Sequence, residues 1–198
     1  MMTGKCTFFR HPICLGLMLV WAWGLACPAV AGLDAVTQGP SPESEKLGFL
    51  VGTWKIERAI HKTAYQPTEG RQSVTQSGEW LEGHLLVLCL LGQTPSSGPY
   101  GKVSIFGYDS EAGTYFCDVY FGTGQRTHFM GSQEGNTWTF VSDSKEGGKT
   151  FRLRWTIVGK TPTLISSKLE YSEDGGPWIL ASEARWTRIG GENEKSKF

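Results

Sequence analysis

Short apolar segments separated by tight turns recur along the chain, and this pattern constrains the fold more than any other feature. The connections are brief and rich in glycine, as in Glu134-Gly135-Asn136 and Glu173-Asp174-Gly175-Gly176, which is typical of hairpins. None is long enough for the crossover helix that a parallel sheet requires. The sequence therefore predicts an all-β fold, an up-and-down antiparallel β-barrel of about ten strands, which leaves no free edge. The predicted strands are Trp54–His61, Gln72–Leu81, His84–Leu91, Gly101–Tyr108, Thr114–Phe121, Arg126–Ser132, Thr137–Ser142, Thr150–Val158, Thr163–Tyr171 and Trp178–Arg188.

Alternation along these strands predicts which side chains point into the barrel, because successive residues of a strand face opposite sides. The third strand is an exception: Leu85–Leu91 is apolar on both faces. We expect its outer face to be covered by the N-terminal arm, a turn or another chain. The residues predicted to face the interior include Trp54, Ile56, Arg58, Ile60, Val103, Ile105, Tyr115, Val119, Phe121, Trp138, Phe140, Phe151, Leu153, Trp155, Ile157, Trp178, Leu180, Ser182, Ala184, Trp186 and Arg188.

Residues 1–31 have the composition of a signal peptide. Lys5 and Arg10 precede an uncharged apolar stretch, and Ala29-Val30-Ala31 has the small-x-small pattern of a cleavage site. The apolar stretch is shorter than the ~20 residues of a membrane span. We therefore expect an exported protein, periplasmic or secreted, with no stable membrane span after cleavage; a retained anchor is the alternative. A lipoprotein modified at Cys27 is a further, disfavoured alternative, because no aliphatic residue stands three positions before that cysteine.

The rest of the chain is predicted to form a flexible N-terminal arm at 32–46, the barrel at 47–189 and a charged tail at 190–198. Ser44 is expected to cap one helical turn in the arm. The chain has 19 basic and 19 acidic residues, and the leader removes two of the basic ones. The rest of the chain then has a slight excess of acidic residues and no excess of positive charge to attract phosphates. We therefore expect no nucleic-acid partner. A hydrophobic content of 39% argues against disorder.

The opening of the first strand, Leu50-Val51-Gly52-Thr53-Trp54, resembles that of the calycins, the lipocalin and fatty-acid-binding-protein superfamily. In calycins the Trp of this motif plugs the base of the barrel and packs against an Arg or Lys late in the last strand. Arg188 stands at the corresponding place here. The resemblance therefore implies that Gly52, Trp54 and Arg188 close the barrel, with a cation–π contact worth ~0.5–2 kcal/mol.

A closer resemblance, over nearly all of residues 47–188, is to a mainly bacterial calycin-like family, domain of unknown function 1579. The shared elements are a Leu-x-Gly-Thr-Trp opening, a Trp-x-x-Gly-x-x-Leu element at 80–86, Gly-Tyr-Asp at 107–109 and a terminal aromatic-x-Arg at 186–188. That family has no established activity. The resemblance therefore implies a fold and no function.

The nitrobindins, which are haem-binding calycins, are a poorer match. Their first strand continues into a Gly-x-Gly-x-Gly-x-Tyr-Pro run, whereas this chain continues with Lys55-Ile56-Glu57-Arg58. Their proximal histidine lies late in the barrel, whereas no histidine follows His128 here. We therefore expect no haem and no other cofactor.

The sequence shows no motif for a metal site or for nucleophilic catalysis. Beyond the leader the histidines are His61, His84 and His128, which lack the close spacing of a metal motif. No Gly-x-Ser-x-Gly elbow occurs. Cys117 and Asp118 lie on opposite faces of one strand, which is wrong for mutual activation. We assign no metal ligand and no catalytic residue.

Two cysteines, Cys89 and Cys117, remain beyond the leader. They fall on the third and fifth predicted strands, so two strand spacings separate them by roughly 9–10 Å. That exceeds the ~7 Å Cα–Cα limit of a disulfide. We predict free thiols; a disulfide would mean that the strand order is different.

Arg58 is the most informative charge, because it lies between Ile56 and Ile60 on the predicted inner face. A lone guanidinium there is costly unless it is paired. It either forms an internal ion pair, reaches the rim, or anchors the carboxylate of an acidic ligand, as in fatty-acid-binding calycins. Lys168 and Glu170 fall on an outer face, so they are poor partners for it.

Three functions follow as hypotheses, and none predicts an oligomeric state. The first is a non-catalytic barrel that holds a small hydrophobic or amphipathic ligand, acidic ones included, in an interior cavity of several hundred Å³. The second is an isomerase-like enzyme acting at the barrel mouth. The third is an assembly protein that docks a partner through Leu85–Leu91, with Leu86, Leu88 and Leu90 exposed. The candidate ligand contacts are Arg58, Trp80, Tyr115, Trp138 and Trp155.

Overall fold

The computed structural model describes residues 40–81, 85–94 and 98–190. The predicted signal peptide with Cys27, residues 32–39 of the predicted arm, His84 and residues 191–198 of the tail lie outside the described residues. Among the described residues, no helix has the length and apolar character that crossing a bilayer would require.

Ten antiparallel strands of the described chain form a closed barrel in which each strand pairs with its neighbours in sequence and β10 pairs with β1. The predicted all-β, up-and-down architecture is confirmed, because each strand pairs antiparallel with the next one in sequence. The strands are β1 Gly52–Ile60, β2 Gly70–Leu81, β3 Leu85–Thr94, β4 Gly98–Asp109, β5 Thr114–Phe121, β6 Arg126–Glu134, β7 Thr137–Glu146, β8 Lys149–Thr161, β9 Leu164–Glu173 and β10 Ile179–Gly190.

Two short helices precede the barrel: α1 at Pro42–Glu45 and α2, a 3-10 helix, at Lys46–Leu50. Ser41 caps α1, since its hydroxyl accepts a hydrogen bond from the Ser44 backbone N–H, and Pro42 suits the first helical position. The cap is therefore Ser41 and not Ser44, which is buried. The last residues of the predicted arm are thus helical.

The helix α2 closes one end of the barrel, which we call the base; the opposite end is the mouth. The indole Nε1 of Trp54 donates a hydrogen bond to the Leu50 carbonyl at 3.0 Å. The Arg188 guanidinium lies 4.3 Å from the centre of the Trp54 ring, which is the pairing that the sequence predicts. Arg188 also donates to the carbonyls of Val51 at 2.6 Å and Pro162 at 2.9 Å. These bonds tie α2 and the β8–β9 turn to the first and last strands.

Aromatic rings fill the half of the barrel next to the base. Trp138 stacks on Phe49 of α2 with ring centroids 5.6 Å apart and meets Tyr115 edge-on at 4.7 Å. Phe106 meets Phe140 edge-on at 5.4 Å. Such pairs add ~0.5–1.5 kcal/mol each beyond the area that they bury. This half is therefore core and leaves little room for a ligand.

The predicted inner face of β4 is wrong. Val103 is 37% exposed on the outside of the barrel, and Ile105 shares its face. Ser104 pairs with Leu88 on β3 and with Val119 on β5, both of which point inwards. Because β4 carries apolar residues on both faces, its alternation alone did not decide the orientation, and the register with its neighbours did.

The prediction also fails at the start of β10, where the pairing with β9 shifts between Leu180 and Ser182. This bulge adds one residue and turns the preceding side chains to the other side. Leu180 pairs with Glu170 and is exposed, and Trp178 lies outside the barrel over Arg154, with 4.1 Å between guanidinium carbon and ring centre. Beyond the bulge, Ser182, Ala184 and Trp186 face the interior, as predicted.

The docking hypothesis required Leu86, Leu88 and Leu90 of β3 to be exposed, and this is wrong. All three are at most 1% exposed and face the interior. On the outward side of this strand Leu85 and Val87 are half-buried and Cys89 is exposed. The apolar character of β3 thus serves mainly the barrel core.

Candidate functional site

An interior cavity of ≈ 190 Å³ lies in the half of the barrel next to the mouth. It is smaller than the several hundred Å³ predicted, because the aromatic core occupies the other half. Larger depressions of ≈ 430 Å³, lined mostly by outward-facing residues of β1, β2 and β8–β10, are more open to solvent. Arg58 lines one of them as well as the interior cavity, and Ser167 and Ala184 line the other as well. The interior cavity is the better candidate site because it is less open to solvent than these depressions, so it buries more of a ligand. Its lining residues are Arg58, Lys102, Val119, Phe121, Thr127, Phe129, Leu153, Trp155, Ser167, Leu169, Ser182 and Ala184.

Arg58 reaches this cavity from β1. It pairs across the sheet with Gln72 on β2 and Ala184 on β10 and is half-buried. Its place in the lining agrees with the predicted inner face. A permanently charged guanidinium therefore faces an otherwise largely apolar space.

Lys102 is a second cation in the cavity wall, and sequence reasoning missed it. It lies on the inner face of β4, with its Nζ 5.2 Å from the centre of the Trp155 ring. No carboxylate among the described residues forms an ion pair with it. Burial, reinforced by the nearby Arg58 guanidinium, lowers the pKa of Lys102 to about 8. One sequence feature could have identified Lys102 as an inward residue: it shares its face of the strand with two aromatic residues, Phe106 and Tyr108.

Trp155 forms the apolar wall beneath Lys102. Its ring lies 5.8 Å from that of Phe106, 6.3 Å from Phe129 and 6.4 Å from Trp186. Trp186 donates its indole N–H to the hydroxyl of Ser167, which also lines the cavity. The indole of Trp155 is therefore held from several sides, which gives the cavity a rigid floor.

The other predicted ligand contacts belong to the base. Trp80 lies beside Gly48 of α2, and Tyr115 and Trp138 are buried against one another. None of the three lines the cavity. Their bulk fills the core next to α2, so the structure brings only Arg58 and Trp155 of the predicted set to the cavity.

A tyrosine from the β1–β2 connection covers part of the mouth. The Tyr65 ring meets Phe151 edge-on at 5.1 Å and Tyr171 at 5.5 Å. Its hydroxyl donates to the Glu173 carboxylate, which also forms an ion pair with Lys149. This cluster ties the connection to β8 and β9 at the rim.

Cys89 and Cys117 are free, as predicted. Cys89 is exposed on the outer face of β3, and Cys117 is buried on the inner face of β5 between its register partners Phe106 and Phe129. Burial raises the pKa of the Cys117 thiol far above its ordinary value. A thiol that stays protonated is a poor nucleophile.

The described histidines lie on the outside, each beside a carboxylate. His61 is 3.6 Å from Glu183, and His128 Nδ1 is 3.0 Å from an Asp118 oxygen. Partial burial raises the pKa of Asp118, but hydrogen bonds from His128 and Arg126 outweigh it and hold the pKa below its ordinary value. No group of three or more potential metal ligands occurs within the described ranges.

Glu170 is almost buried, yet it faces outwards, as its position in β9 predicts. Its carboxylate accepts a hydrogen bond from Arg154 at 2.9 Å and lies 3.2 Å from the Lys168 ammonium. The Arg154 hydrogen bond is the main cause of its lowered pKa. The Arg154–Glu170 ion pair stabilises the outer face of β8 and β9. Glu170 therefore does not contribute to the cavity.

The depressed pKa of Lys102 predicts a pH-dependent stability. Below about pH 8 the folded and unfolded states both carry the proton, so the cost of burying the charge is constant. Between about pH 8 and 10.5 the unfolded state binds more protons, so the free energy of unfolding rises with pH. We expect this gain to reach about 2 kcal/mol.

Urea denaturation of the wild type and of Lys102→Met between pH 7 and 10.5 isolates this effect, since other titrating groups are common to both. As the pH rises, the free energy of unfolding of the wild type should increase relative to that of Lys102→Met. Lys168→Met is the matched control on the outer face. A difference between wild type and Lys102→Met that stays constant with pH would contradict the assignment.

Comparison with known proteins places the barrel among solved folds. No protein-family model matches the chain, and no curated protein matches it in sequence. The crystal structure of Rv2717c from M. tuberculosis is similar with a TM-score of 0.52 and 14% identity, over 75% of this chain and 98% of that one. The likeness is one of fold.

Two further solved structures match less well. A redesigned β-barrel covers 75% of this chain and 99% of its own, with 11% identity and a TM-score of 0.42. The S-type phycobiliprotein lyase CpeS from Guillardia theta covers 75% and 93%, with 15% identity and a TM-score of 0.47. The barrel fold rests on the strand pairing and on the likeness to Rv2717c, whereas membership of domain of unknown function 1579 stays a prediction.

Proposed function

We propose that the barrel binds a small anionic molecule in its interior cavity, with the acidic group at Arg58 and Lys102. The observation that carries this proposal is that two half-buried cationic side chains line one interior cavity with largely apolar walls. Like charges raise each other's free energy in a poorly solvated space, as the lowered pKa of Lys102 reflects. An anion placed between them relieves that repulsion, and the charge-assisted hydrogen bonds that it accepts are strong.

The cavity volume restricts the ligand to a small molecule. A volume of ≈ 190 Å³ corresponds to about six water molecules and is somewhat larger than an engineered apolar cavity that holds benzene. A single-ring or short-chain acid fits this space, whereas a long-chain fatty acid does not. The hydroxyls of Thr127, Ser167 and Ser182 add polar contacts in the same wall. The ligand is therefore an amphipathic acid with an apolar body.

Location outside the cytoplasm is part of the proposal. It rests on the leader sequence, in which two cations, an apolar stretch and Ala29-Val30-Ala31 follow in order.

Isothermal titration calorimetry with benzoate tests the proposal, and benzyl alcohol serves as its neutral counterpart. The wild type should bind benzoate more tightly than benzyl alcohol, and benzoate affinity should fall as Lys102 deprotonates above about pH 8. Arg58→Met and Lys102→Met should each weaken benzoate binding roughly 10- to 100-fold, which is the loss of one charge-assisted contact.

The matched control is Lys168→Met, which removes a cation from the outer face and should leave benzoate affinity unchanged. Equal affinity for benzoate and benzyl alcohol, or benzoate binding that survives both cavity substitutions, would overturn the proposal. Hexanoate in place of benzoate distinguishes a ring-shaped cavity from one that accepts a flexible chain.

A further inference from the structure

Lys102 combines three features that its role as a simple cation does not require. It lines the interior cavity, it forms no ion pair with a carboxylate among the described residues, and a second, permanent cation, Arg58, lines the same cavity. By comparison, Lys55, Lys149 and Lys168 each lie beside a carboxylate on the outside. An amine in apolar surroundings next to another cation is the arrangement that activates lysine as a nucleophile.

We propose that the Lys102 amine forms an imine with the carbonyl group of a small aldehyde or oxo acid held in this cavity. The inference rests on the proposed function only because it uses the same cavity. In the proposed function Lys102 is a binding contact, whereas here its amine is the reactive group. Arg58 would hold the carboxylate of an oxo acid, because its guanidinium stays charged at every accessible pH.

The protonation state of Lys102 supports this reaction at neutral to mildly basic pH. With a pKa of about 8, a large fraction of the amine is neutral at pH 8. A surface lysine with an ordinary pKa near 10.4 is then neutral in fewer than about one molecule in a hundred. The neutral amine carries the lone pair that attacks a carbonyl.

The step balances without a further reactant. The nitrogen lone pair of Lys102 attacks the carbonyl carbon, the carbonyl π electrons pass to oxygen, and a proton moves from nitrogen to that oxygen to give a carbinolamine. The carbon–oxygen bond then breaks with uptake of one proton from solvent, and water leaves. The product is a protonated imine, whose positive charge replaces that of the lysine ammonium.

Reductive trapping tests the proposal on the full-length protein. Sodium cyanoborohydride delivers hydride to an imine, so 4-carboxybenzaldehyde with this reagent at pH 8 should leave a stable secondary amine on Lys102. Peptide mapping by mass spectrometry should find Lys102 modified at least ten times faster than Lys168 or Lys55. Modification spread evenly over the lysines would overturn the proposal.

Lys102→Arg keeps the charge without a nucleophilic amine and is the matched variant; its thermal melt shows whether it is folded. The folded variant should lose the fast modification, and Lys168→Arg should retain it. The rate advantage of Lys102 over Lys168 should also shrink between pH 8 and 10, as surface lysines lose their protons. Fast modification that persists in folded Lys102→Arg, or an advantage unchanged by pH, would overturn the inference.

Benzaldehyde, which lacks the carboxylate, separates this inference from the proposed function. Equal trapping of benzaldehyde and 4-carboxybenzaldehyde at Lys102 would support imine formation and count against anion selectivity. Binding of benzoate with no trapping of either aldehyde at Lys102 would support the proposed function and overturn the imine.

Discussion

Replacement of Trp54 by alanine is expected to lower the free energy of unfolding by about 4 kcal/mol. The indole is completely buried at the base of the barrel. Its loss removes a large apolar contact, leaves the Leu50 carbonyl without the donor that it now has, and removes the ring beneath the Arg188 guanidinium. Urea denaturation followed by far-ultraviolet circular dichroism measures the change without relying on tryptophan fluorescence.

Trp178→Ala is the matched control, because Trp178 is half-buried on the outside of the barrel, where it contacts Arg154. Its removal is expected to cost about 1 kcal/mol, the size of an exposed cation–π contact. If both substitutions lowered the free energy of unfolding equally, the closure of the base by Trp54 would contribute less to stability than its packing suggests.

Gly78→Ala is expected to destabilise the barrel by about 3 kcal/mol. A Cβ at this position of β2 would lie 2.4 Å from the Leu50 carbonyl oxygen and 2.6 Å from a Leu88 methyl group. The oxygen belongs to the backbone of α2, and Trp54 and Arg188 hold the adjoining residues, so the clash cannot be relieved by a side-chain rotation. We expect α2 to shift away from the base.

Gly70→Ala, in the same strand, is the matched control, since a Cβ there meets nothing within 4 Å. It should be neutral or stabilising by up to about 1 kcal/mol, because alanine restricts the unfolded chain. Thermal melts of the two variants make the comparison. A Gly78→Ala protein as stable as the Gly70→Ala protein would show that α2 is not tightly seated on β2.

Much of the architecture was predictable because its signals are local. Glycine-rich turns and apolar alternation identified all ten strands to within a few residues at each end, and β1 alternates clearly enough to place Trp54, Ile56 and Arg58 on one face. The Trp54–Arg188 contact followed from a resemblance at the two ends of the barrel. Local pattern was sufficient wherever polar and apolar residues alternate without conflict.

Prediction failed where one strand carries two apolar faces or an extra residue. On β4 the choice between Val103 and Lys102 as inward residues depended on the pairing of Ser104 with Leu88, a contact between strands. On β10 a bulge turned Leu180 outwards. Both errors concern side-chain orientation, which reverses with a shift of one residue. Because of the error on β4, Lys102 was not predicted to line the site.

The number of strands, their order and the closure at the base were predictable from the amino-acid sequence, because each depends on neighbouring residues or on one end motif. The composition of the site was not, because it depends on contacts between distant strands. Arg58 and Lys102 lie on strands that are not adjacent, so their approach depends on how the sheet closes across the barrel. The size of the cavity likewise depends on how far the aromatic core fills the interior, a property of packing in three dimensions.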